Sequence, residues 1–171
     1  MRNIIIYLLI SLSFVFTQEV VVWVSNANDS HIELSMTNTT GVGGFQFTVI
    51  ADASLGAIFG EAFGGASEEA GFMISTNEEG LIIGFSMTGE EIMPGDSILL
   101  ANMNWTIPDD VAGYITIELI PNSFAGGNPP VALDAVIGEP YLYGDNINFG
   151  CTDPEAINYD PDATVDDGSC V

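Results

Sequence analysis

The sequence predicts an all-β protein of about nine strands folded as a β-sandwich, and three observations carry that prediction. Apolar residues recur with a period of two through most of the chain, as half-buried strands require. Turn-forming clusters, NTTGVGG, NEEG, MPGD, PDDVAG and FAGGNPP, separate those runs at short intervals. No long stretch shows the helical period, and short strands at this spacing pack as two sheets.

The elements follow in order. VVVWV and HIELSMT open the series, with Ile32, Leu34 and Met36 expected on one face and His31, Glu33 and Ser35 on the other. GFQFTVIA places Phe45, Phe47 and Val49 together. SLGAIFGEAFGGASEEAG has no clean alternation and fits a crossing loop, a short helix or a bulged edge strand. FMIST follows, then LIIGFSM, where the expected inward set is Leu81, Ile83, Phe85 and Met87. SILLANMNWTI puts Leu99, Ala101, Met103, Trp105 and Ile107 inward, and YITIELI does so with Ile115, Ile117 and Leu119. VALDAV and EPYLY complete the set.

Ahead of these strands stands MRNIIIYLLISLSFVFTQ. One arginine and a short apolar run read as a secretory signal peptide over residues 1–17, too short to span a bilayer. With that segment removed, the protein is expected to be secreted or displayed at the cell surface, with no membrane insertion. Residues 18–144 form the sandwich, and 145–171 form a linker and a separate Cys-bracketed tail.

Charge narrows the function. The chain carries 24 Asp and Glu against a single Lys or Arg, which is Arg2 in the signal segment. No nucleic-acid partner is expected, because nothing remains to neutralise phosphates. No catalytic residues are assigned. His31 has Ser30 beside it, but adjacent strand residues point to opposite faces and a triad needs converging side chains. The carboxylate pairs Glu68-Glu69, Glu78-Glu79, Glu90-Glu91 and Asp109-Asp110 lie in turns or Gly-rich loops, without a pocket to raise a pKa. The reading is therefore not an enzyme.

GVGGFQFTVIAD, GLIIGFSM, DSILLANMNWTIPDDVAGYITIELIPNSFAGG and PVALDAVIGEPYLY together resemble the cohesin family, over roughly Glu19 to Tyr143. The resemblance implies a nine-stranded, jelly-roll-like sandwich related in architecture to carbohydrate-binding modules. It also implies a non-enzymatic docking role, with a calcium-loaded, dockerin-like protein bound through one exposed sheet face. The sequence does not identify that face. A carbohydrate-binding module, with polysaccharide as partner and exposed Trp or Tyr as platform, is the alternative; a structural adhesion or surface subunit is a third. An acid-only surface departs from the usual cohesin mixture.

The tail, GCTDPEAINYDPDATVDDGSC, resembles short repeats found near the ends of secreted bacterial proteins. Cys151 and Cys170 are the only cysteines, and export makes a disulfide between them the expectation. Such a staple contributes about 3 kcal/mol by loop-closure entropy, with Ala156, Ile157 and Tyr159 as candidates to cover it. Asp160, Asp162, Asp166 and Asp167 are candidate Ca2+ ligands, although Val165 and Val171 stand where an EF-hand loop needs Gly and Glu. The competing reading is a solvated acidic loop.

Overall fold

The structure, a computed structural model, describes residues 19–144 and 147–171. The expected signal segment lies outside them. Every stretch expected to be extended forms a strand. In chain order these are β1 (Val20–Ala27), β2 (His31–Asn38), β3 (Gly44–Ala51), β4 (Ile58–Phe63), β5 (Phe72–Thr76), β6 (Leu81–Ser86) and β7 (Gly95–Thr106). Then come β8 (Gly113–Gly126), β9 (Val131–Leu133), β10 (Ala135–Ile137) and β11 (Tyr141–Tyr143). A short helix α1 (Gly65–Glu69) precedes β5, and β12 (Phe149–Gly150) and β13 (Val165–Asp166) lie in the tail.

Two sheets face each other. The first has strand order β10-β1-β2-β7-β4; the second has β11-β8-β3-β6-β5, with β9 also pairing β8. Two features raise the strand count above nine. The ambiguous Gly-Ala stretch supplies β4, a bulged edge strand with a register shift between Phe59 and Ala62, and then the one-turn α1. VALDAV divides at Asp134, because the chain changes sheets there: β9 pairs β8, whereas β10 pairs β1 in parallel. The corner is held by Asp134, whose carbonyl accepts the Glu19 and Val20 N–H groups at 3.0 and 2.9 Å.

The core lies between the sheets. Val20, Val22 and Val24 meet Ile32, Leu34 and Met36 from the first sheet, and Phe45, Phe47, Val49, Ile115 and Ile117 from the second. Phe124 stacks on Phe47 with ring centroids 5.9 Å apart, and Phe45 stacks on Phe72 at 6.0 Å. Each fully buried aliphatic or aromatic side chain of this kind is worth about 1.5–3 kcal/mol.

Two expected faces are corrected. In β6, Ile82 and Gly84 point inward, while Phe85 is 41% exposed and Met87 lies in solvent beyond the strand end. Gly84 causes this inversion: a Cβ there would lie 2.3 Å from Cζ of Phe45, so the bare backbone is what admits the ring. In β7, Leu100 rather than Leu99 is buried, because a bulge between the Leu34–Ala101 and Ser35–Leu99 pairs inserts one residue. Past the bulge, Ala101, Met103 and Trp105 point inward as expected.

Candidate functional site

The inverted register of β6 has a direct consequence. It turns Leu81, Ile83 and Phe85 to the outside of the second sheet. Cross-strand pairing then builds a surface around them. Met73 of β5 lies opposite Phe85, which lies opposite Gly44 of β3, which lies opposite Ala125 of β8. The next row runs Ser75, Ile83, Gln46, and the one after runs Leu81, Thr48, Glu118. Met73 is 56% exposed, and Ile120 on β8 is also exposed. The result is a four-stranded face with an apolar centre. Among its outward positions Glu118 is the only acid, in a chain that has 24. Acids gather at the ends of the face instead: Glu78 and Glu79 in the β5–β6 turn, and Glu68, Glu69 and Glu90 at the opposite strand ends.

The outer face of the first sheet differs. His31, Glu33, Asn102 and Asn104 occupy it, with the His31 ring edge-on to Phe63 at 6.0 Å. Ser30 Oγ lies 3.0 Å from His31 Nδ1, and Asn28 supplies the other polar contacts to the ring. No acid orients the imidazole in this set.

At one end of the sandwich an open cleft of about 870 Å³ is lined by Asn28, Asp29, Asp109, Asp110, Tyr141 and Tyr143. The Tyr143 hydroxyl donates to Asp29 at 2.7 Å. Burial first, and then this hydrogen bond and the Asp29 charge, push the phenol up to about 12. Asp29, Asp109 and Asp110 are themselves exposed to solvent. Glu68 is engaged locally, accepting the Gly64 N–H at 2.6 Å. The Glu91 carboxylate accepts the Gly127 N–H and is wedged against Gly41 and Gly43. These acids serve as loop fasteners.

The tryptophans do not offer a platform for a sugar ring. Trp105 is 5% exposed, donates from Nε1 to the Asn28 carbonyl at 2.6 Å, and meets Tyr143 edge-to-face at 84°. Trp23 is half-buried, packed beside Gly138.

In the tail, Cys151 and Cys170 form the expected disulfide. The aspartates sit in successive turns. Asp160 Oδ1 accepts the Asp162 N–H, Asp166 Oδ1 the Gly168 N–H, and Asp167 Oδ1 the Ser169 N–H, each at 2.9–3.0 Å. These i to i+2 bonds are Asx turns, which short acidic side chains form readily. The hydrogen bonds from Ser169 hold the Asp167 carboxyl below its ordinary range. Among the described residues no group of three His, Cys, Asp or Glu side chains comes together as a metal ion needs. Asp160, Asp162, Asp166 and Asp167 are thus brought near in sequence but not assembled around one centre. Nor does Ile157 cover the bridge; it is 95% exposed, and Cys151 is buried by other groups.

No protein-family model and no curated protein matches the chain. Solved structures do. The chain is similar to CaCohA2 from Clostridium acetobutylicum, with TM-score 0.50 and 18% identity over 73% of this chain and 89% of that one. It is similar to the third cohesin ScaC from Acetivibrio cellulolyticus, solved in complex with the ScaB dockerin. That match has TM-score 0.50 and 16% identity over 72% of this chain and 96% of that one. It also matches the type II cohesin dyad of the ScaA scaffoldin from the same organism, with TM-score 0.50 and 11% identity over 78% of this chain and 50% of that one. The fold is a cohesin-like β-sandwich. No helix among the described residues is long and apolar enough to cross a membrane.

Proposed function

We propose that this chain is a secreted, non-enzymatic docking module that binds a small protein domain through the outer face of β8, β3, β6 and β5. One observation carries the reading. A sheet face whose apolar centre sets half-buried Ile83 beside exposed Phe85 and Met73 carries a single acid, in a molecule with 24 of them. Contiguous apolar surface rimmed by polar residues marks protein-binding sites. The dockerin bound to one structural neighbour supports a dockerin-like domain as the partner class, and the apolar run at residues 1–17 supports export. Calcium enters as a requirement of such a partner rather than through the tail aspartates.

The test is a pull-down from the secretome of the source organism with the wild-type chain and an Ile83→Asp variant side by side, with and without chelator. One protein retained by the wild type, lost with Ile83→Asp and lost on chelation supports the reading. Retention of the module on insoluble polysaccharide, unaffected by the substitution, contradicts it.

A further inference from the structure

This inference rests on the docking reading and concerns what the partner must carry. Glu118 is the one acid on the outer face of the second sheet. It lies directly across from Thr48, in the row that ends at Leu81, and its side chain is exposed. A partner that covers Ile83 and Phe85 also removes this row from water. A carboxylate taken out of water without a counter-charge is strongly unfavourable. Most proteins could answer with a nearby lysine or arginine of their own. Here none exists: Arg2 is the only such residue, and the single histidine, His31, belongs to the first sheet.

We propose that Glu118 is the specificity-determining residue of the docking face. The partner meets it with an arginine or lysine set in an apolar surface. The geometry allows the approach. β11 pairs β8 at residues 113–115 and β9 pairs it at 124–126, so the β8 edge beside Glu118 is flanked by short strands and not overlaid by them. A partner acid at that position finds only repulsion, which excludes surfaces of the wrong sign. The rim acids act differently. Glu78, Glu79, Glu68, Glu69 and Glu90 remain hydrated, so they speed encounter with a basic partner more than they hold it.

A phage-displayed library on a helical scaffold, panned on the full chain and counter-selected on Ile83→Asp, tests this directly. Face-dependent binders are expected to carry a lysine or arginine in an apolar strip. Glu118→Gln, a change that leaves the melting temperature in place, should then weaken them about tenfold, mainly through faster release. Removing the binder's cation should cost nothing further in the Glu118→Gln background. Glu78→Gln with Glu79→Gln should slow association and flatten its salt dependence, leaving release unchanged. Face-dependent binders that lack a cation, or that ignore Glu118→Gln, overturn the inference while the docking face stands. If no binder depends on Ile83, the docking reading falls and the inference with it.

Discussion

Gly84 decides which side of β6 faces the core. Its missing side chain leaves room for the Phe45 ring, whose Cζ, Cε1 and Cε2 would lie 2.3–2.9 Å from a Cβ placed there. The Gly84→Ala substitution should therefore destabilise the sandwich by about 1–3 kcal/mol, as overpacking does, and calorimetry should show a melting temperature several degrees lower. An unchanged melting temperature would mean that the ring moves freely. On the opposite side of the same strand, Ile83→Asp alters an outward residue. It should leave the melting temperature nearly unchanged yet weaken partner binding about thirtyfold or more, the scale of a central hot spot, in a titration by calorimetry. Tyr143 gives a pH signature. Its phenol is raised to about 12 by burial and by Asp29. A raised pKa means that the neutral form is the one the fold favours. Its contribution is therefore complete below the ordinary tyrosine value of about 10 and is lost as pH climbs through about 12. Absorbance at alkaline pH should show one late phenol step that Tyr143→Phe removes; a titration without that step would contradict the burial of the phenol beside Asp29.

Among the elements, most of the fold was legible. β3 and the C-terminal half of β7 alternate cleanly because polar residues such as Gln46, Thr48, Asn102 and Asn104 mark one face. β6 was not legible, since LIIGFSM offers apolar residues to both faces and period two alone cannot choose between them. The deciding fact, a glycine facing a phenylalanine of the neighbouring strand, is a tertiary contact. That same ambiguity hid the face proposed for docking: Leu81, Ile83 and Phe85 are residues that the pattern assigned to the core. β7 misled in a smaller way, because a bulge at Leu100 leaves no mark in the alternation. The tail was legible in its cysteines, whereas its aspartates were read as candidate ligands and their role in Asx turns was not anticipated. Its stability should depend on the staple. Replacing both Cys151 and Cys170 with Ser removes about 3 kcal/mol of loop-closure entropy. Amides of Ile157, Ser169 and Val171 should then exchange rapidly while the sandwich melts as before. Protection that survives in the double variant would show that the Asx turns and the Asn158 clamp suffice.

For the whole molecule, the charge imbalance dominates. Beyond Arg2 the chain has no lysine or arginine to set against 24 acids, so self-repulsion opposes compaction and only solvent cations relieve it. The melting temperature should rise steadily from about 0.01 M to about 1 M salt, as the screening length shrinks from about 30 Å to about 3 Å. A salt-independent melting temperature would contradict this picture. The same imbalance makes the acid-poor sheet face meaningful, because 24 acids are spread over the chain and only Glu118 lies among its outward positions. The most direct measurement of the docking claim is methyl NMR of the chain with its captured partner. The account predicts shifts concentrated at Leu81, Ile83, Met73 and Ile120, with exposed Ile58 on β4 of the first sheet undisturbed. Shifts confined to the first sheet, or to the cleft beside Tyr143, would contradict it.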